Sequence, residues 1–145
     1  MILLLDVNVL VALAWPEHEA HDRVQQWFLR KGRMGWATCP FTQAGFVRIV
    51  SNPSFSTHAV TPQEASRLLS ANLNHPGHRF WRDEIAFTKA VQPFQARLRG
   101  HQQITDAYLL GLAAHLRGKL ATLDERIGSL LAKNADWTHL EIIRA

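Results

Sequence analysis

The chain has 145 residues, 47% apolar and 19% charged, with a formal net charge of +4 at pH 7. That length allows one domain with a full core, so residues 1–145 are expected to form a single unit, and the balance excludes a disordered or fibrous chain. No apolar run approaches the roughly 20 residues of a membrane-spanning helix, and a lone cysteine, Cys39, excludes an intrachain disulfide and fits a reducing cytoplasm.

Residues 2–5 read as a buried parallel strand, followed by a short helix from Asn8 to Ala14 that Trp15-Pro16 closes. The opening "MILLLDVNVLVALAW" is apolar enough to suggest a signal peptide. It has no basic start, however, and Asp6 and Asn8 interrupt its apolar core, so a strand running into a helix explains it better. "HEAHDRVQQWFLRKG" carries Ala20, Val24, Trp27 and Phe28 near helical spacing and stops at Gly32. "GWATC" is a strand, and Pro40-Phe41-Thr42 opens a helix through "QAGFVRIV". "SFSTHAV" is loop, Thr61-Pro62 starts a helix reaching Asn72, and "HRFW" is a strand. Pro93 is expected to kink or split the helix in "FTKAVQPFQARLRG". A buried helix in "TDAYLLGLAAHLRG", the strand "KLAT", a short helix from Glu125 and the strand "HLEIIR" finish the chain. Strands alternating with helices predict a three-layer α/β/α sandwich on a largely parallel sheet.

Three aspartates stand out. Asp6 ends the first strand, Asp124 follows "KLATL", and Asp106 lies in the first turn of the helix leading into that strand. Ligand sites of open parallel sheets lie beyond the carboxyl ends of the strands. If the two strands are neighbours, all three carboxylates meet at one edge. Each aspartate taken singly reads equally as a helix N-cap, worth about 1 kcal/mol. Caps have no need to share an edge, and carboxylates at 4 Å repel by about 1 kcal/mol per pair in water and about 4 at an effective dielectric of 20. A divalent cation does need several oxygens, and Mg²⁺ or Mn²⁺ is the guest that carboxylates and water suit. Asp6, Asp106 and Asp124 are therefore the expected metal ligands.

"LLLDVNVLVAL", "TCPFTQAGFVRIVSNP" and "TDAYLLGLAAHLRGKLATLDERI", in this order and spacing, resemble a PIN-domain ribonuclease, and more narrowly the VapC toxins of type II toxin–antitoxin modules. The likeness runs along essentially the whole chain. It implies a metal-dependent endoribonuclease, usually a cytoplasmic homodimer, that cuts RNA and is neutralised by a cognate antitoxin protein. It assigns Asp6, Asp106 and Asp124 to the acidic site, with Asn8 as the polar residue two positions after the first aspartate and Thr105 as the small hydroxyl residue before the second. One departure matters: the family usually carries a glutamate where this chain has Gln43. The amide offers a neutral oxygen to the catalytic site and one charge is lost, which weakens metal binding, particularly of a second ion.

The expected chemistry is phosphodiester hydrolysis, with the cation activating water and drawing charge from the phosphoryl oxygen. Arginine outnumbers lysine, and Arg48, Arg97 and Arg99 are candidates for binding RNA phosphates, although each taken singly reads as ordinary solvated surface. "HEAHD" falls one residue short of the spacing that puts two histidines on one helical face for zinc. Trp27 and Phe28 have rings able to stack on bases, but their spacing favours the core. A second reading is a PIN-fold protein that binds RNA or an antitoxin without efficient cleavage, and Gln43 favours it. A phosphoaspartate phosphatase or flavodoxin-like domain fits less well, because "DVN" lacks a second carboxylate and no glycine-rich phosphate loop follows the first strand.

Overall fold

A computed structural model describes residues 1–145. The strands are β1 (Leu3–Leu5), β2 (Trp36–Thr38), β3 (His78–Phe80), β4 (Lys119–Thr122) and β5 (Leu140–Ile142), all pairing in parallel in the order β3-β2-β1-β4-β5. The helices are α1 (Val7–Ala14), α2 (His21–Lys31), α3 (Pro40–Val50), α4 (Pro62–Leu73), α5 (Phe87–Val91) and α6 (Ile104–His115). Short 3-10 turns cover Gly32–Met34, Gln92–Arg97, His101–Gln103 and Glu125–Leu130.

The apolar run of β1 follows from its central position. Leu3 and Leu5 face a cluster built with α1 to α4, whereas Leu4 faces a second cluster built with α5, α6 and the Glu125–Leu130 turn. A strand covered on both faces needs apolar residues at every position, not every other one. The three layers and the parallel sheet are as the sequence predicts. Pro93 also acts as expected, ending α5 at Val91 and turning the chain into a 3-10 segment. One boundary differs: α2 begins at His21, because the His18 imidazole accepts from the Ala20 amide at 3.0 Å and holds the preceding residues in a turn.

Two details bring α6 to its place. Gly111 packs against α5 so closely that a Cβ would lie 2.1 Å from the Ala90 carbonyl oxygen. Alanine is intrinsically the better helix former by about 1 kcal/mol, yet contact with a backbone atom rules it out. At the other end Arg117 adopts a left-handed φ of 58°, and the Gly118 amide donates back to the Ala113 carbonyl at 2.8 Å. This closes the helix and turns the chain directly into β4.

The chain lays down β1, β2 and β3 in one direction and then crosses back to add β4 and β5 on the other side of β1. The reversal leaves a crevice between β1 and β4 at their carboxyl ends, where open α/β sheets bind ligands. No helix is long and apolar enough to cross a membrane.

Candidate functional site

Leu5 of β1 pairs with Ala121 of β4, so Asp6 and the β4–Asp124 segment leave the sheet side by side. Asp6 is 6% exposed and caps α1, accepting the Val7 amide at 2.8 Å on Oδ1. Its Oδ2 accepts the buried Thr122 hydroxyl at 2.8 Å and a longer contact from Asn8 Nδ2 at 3.5 Å. Asn8 also donates to Thr122 Oγ1 at 3.2 Å and accepts the Leu123 amide at 3.1 Å, which ties the end of β1 to the turn after β4. Thr122 Oγ1 accepts the Asp124 amide at 3.0 Å. Thr122 is thus the hub that fixes both ends.

Asp106 lies in the first turn of α6, but the helix has no side-chain cap and the Asp106 carboxylate accepts no hydrogen bond. An N-cap role therefore does not explain it. Burial, then the charges of Asp6 and Asp124, push its pKa up to about 6. Burial likewise raises the pKa of Asp6, with Asp124 adding to the effect. Asp6 and Asp124 thus act on Asp106, and Asp124 on Asp6, as neighbouring negative charges.

Asp124 has a partner. It accepts the Arg126 amide at 2.9 Å and holds the guanidinium by two bonds, Nε at 3.0 Å and Nη2 at 2.9 Å. The Arg126 hydrogen bond holds the carboxyl of Asp124 below its usual range. No three acidic, histidine or cysteine side chains close on one point as a ready ligand set. The donor chemistry still fits a hard cation: Asp106 has unpaired oxygens, Asp6 is buried, and their mutual repulsion is what a divalent ion relieves. Asp124, by contrast, has both oxygens engaged by Arg126. Asp106, Asp124 and Arg126 line a cavity of about 340 Å³ together with Gln102, Gln103, Ile127, Ser129 and Leu130.

Residues 3–131 match the family model of the PIN domain. The chain belongs to the PIN-domain family. Within it the chain falls among the VapC members: it is 42% identical over 143 residues to Ribonuclease VapC39 of Mycobacterium tuberculosis, covering 99% of this chain and 100% of that protein. It is 41% identical over 140 residues to Ribonuclease VapC38 of the same organism, covering 97% and 96%. A crystal structure of VapBC2 from Rickettsia felis bound to a promoter DNA fragment contains a chain of the same fold, with TM-score 0.64, 16% identity and 98% of each chain covered.

The remaining candidates in this PIN domain are spread more widely. Gln43, half-buried on α3, donates from Nε2 to Thr38 Oγ1 at 3.0 Å, and that hydroxyl also bonds His78 Nε2 at 2.7 Å. A glutamate would be unable to donate there, so the Gln43 amide is engaged with β2. Thr105 is exposed and its hydroxyl makes no hydrogen bond; Arg48 and Arg97 are exposed with no contact to the aspartates. Arg99 is closer to the site: its amide donates to Gln103 Oε1 at 2.5 Å, and Gln103 lines the acidic cavity. The histidines of "HEAHD" do not form a metal pair, since His18 accepts from Ala20 and His21 Nδ1 bonds the Ala12 carbonyl at 2.7 Å. Trp27 is 4% exposed, a core residue.

Sequence reading overlooked Thr122 and Arg126. Their only signal is position, one on each side of Leu123-Asp124 in "TLDER".

The raised pKa of Asp106 gives a pH test. In metal-free protein the folded state holds a proton that the unfolded chain releases, so this contribution to stability is full below about 4 and lost as pH rises through about 6. Metal binding needs the carboxylate and runs the opposite way. The rise in melting temperature on adding Mg²⁺ is therefore expected to be small at pH 5, below the Asp106 pKa of about 6, and full at pH 7, above it. A Mg²⁺-induced rise of equal size on both sides of that value would contradict a role for Asp106 in the metal site.

Proposed function

We propose that this PIN domain is a metal-dependent endoribonuclease of the cytoplasm and the toxin of a toxin–antitoxin pair. What supports the reading is the pairing of β1 with β4, which puts Asp6 and the Asp124 segment at the same sheet edge, together with the raised pKa values of Asp6, from burial and then Asp124, and of Asp106, from burial and then Asp6 and Asp124. The VapC ribonucleases that it resembles along their whole length, and a fold shared with a chain of a VapBC complex, support the same reading.

Asp6 and Asp106 are the oxygen donors for Mg²⁺ or Mn²⁺, and Asp124 joins them when Arg126 leaves it. A cation held by these carboxylates would supply water activation and neutralisation of charge on the phosphoryl group. Asn8 and Thr122 hold Asp6 in orientation, as outer hydrogen bonds do for metal ligands. Arg126, 85% exposed at its side chain, is free to pair with an RNA phosphate once released from Asp124. Arg99, beside Gln103, extends the cationic rim, and Arg48 and Arg97 add more distant charge. An antitoxin protein and a second copy of the chain are the proposed protein partners.

Gln43 favours the alternative of an RNA- or antitoxin-binding protein that cuts poorly, because its amide is committed to Thr38 and brings no charge. Incubating purified, antitoxin-free protein with total RNA separates the two. Discrete fragments formed with Mg²⁺ or Mn²⁺ and absent with EDTA support the nuclease, whereas retention of RNA without cutting supports the alternative.

A further inference from the structure

Two phenylalanines from distant parts of the chain meet on one buried ring next to the acidic crevice. Tyr108 of α6 is 4% exposed, and its hydroxyl donates to the Ile85 carbonyl at 3.1 Å, so the ring is fixed. Phe41, in the first turn of α3, lies 5.1 Å from it, and Phe87, the first residue of α5, lies 6.2 Å away and nearly parallel, at 6°. Yet Phe41 is 46% exposed and Phe87 42% exposed. Single exposed apolar side chains are ordinary. Two aromatic rings held against one anchor, each with nearly half its surface open, form a rigid platform.

Its place in the fold matters more. Phe41 stands beyond the carboxyl end of β2, the neighbour of β1, while Asp124 and Arg126 stand beyond β4, on the other side of β1. Strands are about 4.8 Å apart. The rings, Asp6 and Arg126 thus follow one another across the same sheet edge, within the reach of consecutive nucleotides. Asp83 lies near enough to Tyr108 and Cys39 to act on both as a negative charge. A phosphate is disfavoured there, and the base is the part of a nucleotide that fits.

We infer that Phe41 and Phe87 form a stacking subsite for an unpaired nucleobase flanking the phosphate held at Asp6 and Asp106. The inference rests on the nuclease reading for its direction but not for its test. Aromatic rings stack on any base with little sequence preference, so the subsite selects single-stranded over paired RNA. Phe41 and Phe87 are positioning residues: they order the strand and leave the reacting atoms to the aspartates.

The test compares Phe41→Leu, Phe87→Leu and Phe41→Tyr in the full chain, with a labelled single-stranded RNA oligonucleotide. Leucine keeps the apolar bulk without a π face, and tyrosine keeps the face. Expected is a rise in KM of about 5-fold or more for each leucine variant, the lower end of what stacking one base contributes, with kcat nearly unchanged and Phe41→Tyr like wild type. Affinity for the same RNA in EDTA should fall by the same factor, an arm that needs no cleavage and so stands even if the nuclease reading fails. An oligonucleotide abasic at the stacked position should bind more weakly and be indifferent to Phe41→Leu. Unchanged KM and affinity in both leucine variants would overturn the subsite. So would a leucine variant that loses self-association while its RNA affinity is unaltered, which would make the platform an interface between copies.

Discussion

Asp6→Asn is expected to remove metal-dependent RNA cleavage while leaving the metal-free protein as stable as wild type or more so. Asp6 is almost fully buried, and burial outweighs its bonds from Thr122 and Val7, since its pKa is raised in spite of them. The direction of that shift shows that the negative charge costs stability when no cation is present. Asparagine keeps the shape, still accepts from the Val7 amide and drops the charge, a gain offset in part because its amide nitrogen would face the two donors that Oδ2 accepts. A lost outer-shell partner typically costs 10- to 100-fold in metal affinity, so a lost ligand should cost at least about 100-fold in activity. The measurement is a pair of thermal melts beside the cleavage assay. In EDTA the variant should melt no lower than wild type, and the rise produced by Mg²⁺ should vanish. A variant that melts several degrees lower in EDTA would mean that Asp6 is a structural cap and little else.

Thr122→Val should do the reverse, damaging the fold first. Valine matches threonine in shape but lacks the hydroxyl, which at this position serves Asp6 Oδ2, Asn8 Nδ2 and the Asp124 amide together. A buried polar group left without a partner costs about 1–3 kcal/mol. For a domain of this size each kcal/mol lowers the melting temperature by about 2–4 °C. With Asp6 and Asn8 both deprived, a fall of at least about 5 °C is expected, together with weaker Mg²⁺ binding because Asp6 is no longer oriented. Thr122→Ser restores the hydroxyl and should recover most of both. A valine variant melting at the wild-type temperature would remove Thr122 from its position as hub.

The sequence allows these sites to be found only in part, and the division has a physical basis. β1 and β4 are legible because strands covered on both faces must be apolar throughout, so the first aspartate after each run marks the end of the strand. That reading places Asp6 and Asp124 at one edge once β1 and β4 are neighbours, which the sheet order satisfies. Periodicity states which face a residue takes, not which atoms it meets. It therefore gives no sign that Arg126 occupies Asp124, that Thr122 joins three groups, or that the Gln43 amide is turned to Thr38. The aromatic residues make the same point. Trp27 and Phe28 invite a base-stacking reading by type, but helical spacing sends Trp27 into the core. Phe41 and Phe87 show no common pattern along the chain and share Tyr108 as a neighbour, with α5 brought directly onto α6 at Gly111.

Arg126 also changes how the departure at Gln43 is understood. The site lacks the usual family glutamate and has one of its three aspartates held by an arginine. On the proposed function, both features would lower resting affinity for a cation. On the same proposed function, RNA would offer Arg126 another anion and free Asp124, so metal and substrate binding should reinforce one another, in the reciprocal way linkage requires.

Asp6 and Asp106 are proposed to hold a divalent ion between them. Titrating Mn²⁺ into metal-free protein near neutral pH, with free Mn²⁺ followed by electron paramagnetic resonance, tests it without reference to activity. One saturable site is expected in the wild type, severely weakened in both Asp6→Asn and Asp106→Asn and unaffected in Asp22→Asn, whose carboxylate sits on the exposed start of α2. Equal Mn²⁺ affinity in all four proteins would contradict it.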